Sequence, residues 1–168
     1  MRSKTQQAFS LLDLLCAIVI ASILLGLAIP ALSSFIEKNQ QESLRDSLHA
    51  AVNFARMQAV LRKQAVDLCA TSDGHRCNNR WQDGWMSKLS NAQNSLLNLT
   101  KKMDSSQVYW AGFEKRLRFY PNGTSPTSNG RFYQCSSNGI AWQLIINRQG
   151  RVRHATQAEN LDMSSRCP

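Results

Sequence analysis

Residues 11–29 read LLDLLCAIVIASILLGLAI, and this run restricts the possible folds of the 168-residue chain more than any other feature. It is apolar or small throughout except for Asp13 and Ser22. As a helix rising 1.5 Å per residue it extends about 28 Å, enough to cross the hydrocarbon core of a bilayer. The preceding MRSKTQQA is short and polar, with Arg2 and Lys4 as its cations. Those charges keep the N-terminus cytoplasmic and place the remainder of the chain outside. Asp13 is the anomaly, because a carboxylate inside an apolar helix is costly unless it has a partner. A cut before Phe9 makes Asp13 the fifth residue, able to pair with a new α-amino group, its own or a neighbour's. An ordinary secretory signal would instead be cut after its apolar core, near Ala28.

After Pro30 the composition shifts to a helix former with a narrow apolar face. Leu44, Leu48, Ala51, Ala55 and Ala59 recur three or four apart, with Phe54 and Leu61 flanking them. One long helix is predicted over residues 9–64, bent at Pro30. Short aromatic and β-branched segments follow: AVDLC, GWMSKL, QVYWAG, KRLRFYP, GRFYQC, AWQLIINR and GRVRH, separated by Pro-Asn-Gly and Ser-Asn-Gly turns. Residues 91–106 carry mixed signals and read as a loop with a turn or two of helix. No P-loop or alternating βαβ pattern occurs, so the fold class is α+β, a long N-terminal transmembrane helix packed on an antiparallel sheet.

Charge is unevenly distributed. Residues 1–100 hold 10 basic and 7 acidic groups, net +3, whereas 101–168 hold 10 and 4, net +6. An anionic partner or simple solubility would each account for that surplus. Of the five cysteines, Cys16 lies in the apolar run and reads as packing. Cys69, Cys77, Cys135 and Cys167 allow three pairings, of which Cys69–Cys77 with Cys135–Cys167 is the most economical outside the cytoplasm. No CxxC or other metal spacing occurs, and no cofactor is implied. His49 and His75 have no acid and nucleophile arrayed with them, so the chain reads as a non-enzyme. Trp81, Trp85, Trp110 and Trp142 read as packing residues rather than a base-stacking platform.

The segment Gly150-Arg151-Val152-Arg153-His154 can be read in two ways. On a strand, Arg151 and Arg153 point to one face about 6–7 Å apart, close to the spacing of neighbouring phosphates. Gly150 would permit close backbone approach and offer its amide. Arg148 lies across the expected turn, and Lys101, Lys102, Arg116, Arg118 and Arg131 could widen the basic surface. The other reading is a solvated strand edge.

The run AFSLLDLLCAIVIASILLGLAIPAL resembles the class III leader and N-terminal helix of type IV pilins and pseudopilins. The resemblance implies a leader over residues 1–8, removed by a prepilin peptidase between Ala8 and Phe9 with methylation of the new amine. It gives Asp13 and Pro30 roles in filament assembly. Ala8 stands where that family usually has glycine, and Asp13 where it usually has glutamate. The stretches HAAVNFARMQAVLRKQAVDLC, DGW, RFYPNG and IINRQGRVR resemble the minor pseudopilin domain of the GspH and FimT type. That implies a filament-core helix over 9–30, an amphipathic half over 31–64 and a periplasmic β-rich domain over 65–168. FimT-like members act in natural transformation and bind DNA through a C-terminal GRxR motif, which residues 150–153 match. The implied partners are DNA through its phosphate backbone, other pilins, the prepilin peptidase and the bacterial inner membrane. The alternative is a structural subunit of a secretion or pilus-assembly tip that binds no nucleic acid. N-terminal sequencing of the mature protein is expected to begin at Phe9; a start at Met1, or near Ala28, overturns the pilin resemblance.

Overall fold

The computed structural model of this chain describes residues 11–91, 95–101, 107–137 and 139–167. Helix α1 runs over Leu11–Arg62 and contributes to two compact units, residues 1–40 and 41–168. In the first unit the described side chains are exposed, and the apolar window is long enough to span a membrane. Ser22 fits this window because its hydroxyl donates to the Val19 carbonyl at 2.8 Å. Asp13 and Pro30 lie within α1, the side chain of Pro30 falling outside the described residues. Ala8 and Phe9, the expected cleavage position, also lie outside them.

The second unit begins with the remainder of α1. Leu44, Leu48, Ala51, Val52, Ala55 and Ala59 are buried, so the apolar face read from the sequence is the face that packs. The helix closes at Lys63, whose φ of 52° is left-handed. The Gln64 amide reaches the Ala59 carbonyl at 3.3 Å and the Lys63 amide reaches Val60 at 3.4 Å. These bonds form a Schellman ending that turns the chain into the first strand.

Two antiparallel sheets follow, where the sequence pattern had predicted a single sheet. The first has the order β3-β2-β1-β5, from β1 (Val66–Ala70), β2 (Gly84–Leu89), β3 (Leu96–Lys101) and β5 (Leu117–Phe119). The second has the order β4-β6-β7-β8, from β4 (Val108–Gly112), β6 (Gly130–Ser136), β7 (Gly139–Ile146) and β8 (Val152–His154). Strand β3 replaces the loop predicted within 91–106: it is an edge strand paired only to β2, with a register shift at Ser87/Lys88. One core joins the α1 face to both sheets through Leu68, Phe119, Phe132, Trp142 and Leu144. The cysteines pair as Cys69–Cys77 and Cys135–Cys167. Trp81, Trp85 and Trp142 are buried, and the half-buried Trp110 packs against Phe132 with ring centroids 4.4 Å apart.

Strand β1 is buried along its whole length and yet carries Asp67, which is 1% exposed. Its carboxylate accepts from Arg118 Nε at 2.6 Å and Nη2 at 2.8 Å, and from Ser90 Oγ at 3.2 Å. Strand pairing places Asp67 directly opposite Arg118, so register and ion pair support each other. Replacing Asp67 with alanine leaves Arg118 facing an apolar strand, and is expected to cost about 3–5 kcal/mol in urea unfolding. A loss under about 1 kcal/mol would mean that water satisfies Arg118 equally well.

Candidate functional site

The turn between β7 and β8 is a three-residue loop, Arg148-Gln149-Gly150, closed by Asn147 and Arg151. The Asn147 amide donates to the Arg151 carbonyl at 3.1 Å and the Gly150 amide donates to the Asn147 carbonyl at 2.9 Å. Asn147 Oδ1 also accepts from the Arg151 amide at 2.9 Å. Gly150 has φ of 72°, the left-handed position this type of hairpin needs at the end of its loop. It is also buried: a Cβ there would run into the Gly123 carbonyl oxygen and lie 3.2 Å from Phe119 Cε1. That carbonyl accepts from Arg56 Nε of α1 at 3.0 Å, and the Ser125 amide donates to the Arg148 carbonyl at 2.9 Å. Gly150 therefore serves the approach of one turn to another. The amide expected to greet a phosphate is already occupied by Asn147.

The alternation expected of the strand is present. Val152 faces the core, while Arg151 and Arg153 are exposed. Arg148 is also exposed, and neither Arg148 nor Arg151 forms an ion pair among the described residues. Arg153 differs from them. Its guanidinium makes a two-pronged pair with Glu159, Nη2 to Oε1 at 2.7 Å and Nη1 to Oε2 at 2.9 Å.

The other expected cations are dispersed. Arg118 is bound to Asp67, and Arg116 lies 3.5 Å from Asp67 and 4.0 Å from Glu114, so neither widens a free basic surface. Arg131 donates from Nη1 to Gln143 Oε1 at 3.2 Å and is half-buried. The Lys101 side chain and all of Lys102 fall outside the described residues. Strand pairing aligns Arg131, Ile145 and Arg153 across the second sheet.

Residues 45–150 match the family of the type II transport protein GspH. The chain belongs to that family. Its fold is similar to that of the type IV minor pilin FimU of Pseudomonas aeruginosa in two crystal forms. In one the identity is 23%, with a TM-score of 0.58 over 74% of this chain and 94% of FimU. In the other the identity is 22%, with a TM-score of 0.56 over 70% and 94%. No curated protein matches the chain. This GspH-family chain is pilin-like, with an N-terminal apolar helix long enough to cross a membrane.

The family match ends at Gly150, so Arg151, Arg153 and the tail lie beyond the matched segment. The tail of this GspH-family chain holds a residue that the sequence reading missed. Helix α2 (Gln157–Asp162) opens with a capping box, in which Thr156 Oγ1 accepts from the Glu159 amide and Glu159 accepts from the Thr156 amide. The T-x-x-E spacing announces that box, though not that its glutamate also takes Arg153. Gln143 Nε2 fastens α2 to β7 by donating to Glu159 O and Asn160 Oδ1, both at 3.0 Å. The Arg153 hydrogen bonds, then the Thr156 amide, hold the Glu159 carboxyl down at about 2 from an ordinary 4.5. Because the folded value lies below the ordinary one, the latch is complete above about pH 4.5 and is lost as pH falls toward about 2. Hydrogen exchange is expected to show α2 amides losing protection through that window before the sheets do. Glu159→Gln should reproduce the loss at neutral pH; unchanged α2 protection in that variant would show that the disulfide and Gln143 suffice.

Proposed function

We propose that this GspH-family subunit is a minor pilin that binds DNA phosphates, without reading sequence, through the β7–β8 hairpin. The observation that carries the proposal is the presentation of Arg148 and Arg151, exposed and without an acidic partner among the described residues, on a loop anchored from behind by Asn147, Gly123 and Arg56. A rigid cationic loop loses little side-chain and backbone freedom when a phosphate arrives. The net +6 of residues 101–168 supplies a longer-range attraction for a polyanion. The FimT-like resemblance rests on residues 150–153 themselves. Within it, Arg153 acts mainly by tying α2 to the strand, since Glu159 neutralises much of its charge. The proposal includes cleavage before Phe9, anchorage in the inner membrane, a domain on the periplasmic side and association with other pilins in a filament, with Asp13 and Pro30 serving assembly.

The apolar helix of the first unit equally suits an assembly or secretion-tip subunit without nucleic acid, and DNA titration separates the two. Full-length protein in detergent micelles should bind fluorescent duplex DNA of unrelated sequences equally, with affinity falling as salt rises. The double substitution Arg148→Gln/Arg151→Gln is expected to lower affinity at least about tenfold at low salt and to reduce the salt slope by about two. Absence of binding by the unsubstituted protein in low salt would favour the assembly reading. Undiminished binding by the folded double variant would remove the hairpin from the site.

A further inference from the structure

Beside the hairpin, the outer surface of the second sheet contains an open groove of about 550 Å³. It lies where β4, β6 and β7 end together, its floor made by Ala111, Gly130 and Ile145. Among the described residues, the charged side chains lining it are Arg131 and Arg166, with no carboxylate. Phe113 forms one wall and is 85% exposed. Arg166 reaches the groove because the next residue, Cys167, is bonded to Cys135 on β6. Arg131 is steadied by Gln143, the same side chain that fastens α2. The aligned positions Arg131, Ile145 and Arg153 put Arg131 about two strand spacings, roughly 10 Å, from Arg153 on the same sheet, just beyond the hairpin turn.

We infer that this groove takes one unpaired nucleotide of a DNA strand, its base stacked on Phe113 and its phosphate between Arg131 and Arg166. This rests on the DNA-binding reading and deepens it by naming a base-stacking position next to the phosphate-binding hairpin. An exposed aromatic ring flanked by two guanidinium groups is the combination that holds single strands without regard to sequence, because every base has a face to stack. The volume lies in the range of about 300–1,000 Å³ typical of small-ligand sites. A paired base cannot offer its face to Phe113. The groove therefore favours single-stranded or frayed DNA, whereas the hairpin accepts either form.

The test uses full-length protein in micelles and three fluorescent probes of equal length: oligothymidylate, an abasic strand with the same phosphates, and a blunt duplex. Phe113→Ala is expected to bind oligothymidylate about fivefold or more weakly than the unsubstituted protein, while matching it on the abasic strand and the duplex. Arg131→Gln/Arg166→Gln should weaken both single strands. Equal oligothymidylate affinity in Phe113→Ala and the unsubstituted protein overturns the groove. If Arg151→Gln still weakens all probes in that case, the hairpin reading stands alone. If Arg151→Gln changes nothing but Phe113→Ala selectively weakens oligothymidylate, the hairpin reading fails and the groove holds. Failure of the unsubstituted protein to bind any probe rejects both.

Discussion

Two backbones meet without side chains between them at Gly123 and Gly150, and the position of the β7–β8 loop depends on that contact. The helix contributes Arg56, whose guanidinium holds the Gly123 carbonyl, and small residues at Ala51, Ala55 and Ala59 that let the sheets come close. Gly150 then sits against the same carbonyl with no room for a Cβ. Filling that space would push the β7–β8 loop away from the 121–124 turn and strain a left-handed residue at once. The loop arginines therefore face solvent because the glycine between them and the core faces inward. A motif that looks like a ligand-binding sequence owes its first residue to packing.

The local pattern made most of this architecture legible. Leu44, Leu48 and the alanines recur at helical spacing, and the aromatic segments with their Asn-Gly turns correspond to β4 through β8. Strand β3 was missed because an edge strand buries little: Leu96 and Asn98 are exposed, and Leu97, Leu99 and Thr100 are only half-buried. The division into two sheets was missed for a different reason. Strand β5 pairs with β1 rather than with its chain neighbours β4 or β6, and such long-range pairing leaves no mark in local periodicity.

The basic residues expected to form one surface also separate by a non-local rule, namely which acid each one meets. Asp67 and Glu159 each hold an arginine by two hydrogen bonds of similar length, yet the two pairs act differently. Asp67 is buried in a central strand, so losing its partner would leave an uncompensated buried charge. Glu159 is solvated, and its bond to Arg153 adds direction more than stability. Counting cations in the sequence could not distinguish Arg118 from Arg151. The fold does, because strand register places Arg118 opposite Asp67 while the β7–β8 turn leaves Arg151 exposed.

The tail is where these separate constraints converge. Helix α2 has six residues, far too few to persist alone in water, where isolated helices need about 12–15. Its order is supplied from outside: the Thr156 cap at its start, Gln143 beneath it, Arg153 at its side and Cys167 bonded to Cys135 beyond its end. In the chain-entropy account, closing a loop with a sequence separation of 32 contributes about 3–4 kcal/mol. That is more than an exposed ion pair contributes, typically below about 1 kcal/mol. The disulfide therefore decides that the tail stays on the sheet, and the Arg153–Glu159 pair decides how it lies there. Because Arg166 belongs to this tail and Arg131 to the strand beneath it, the chemistry at that end of the sheet depends on a covalent tie between elements that no helix or strand propensity would have joined.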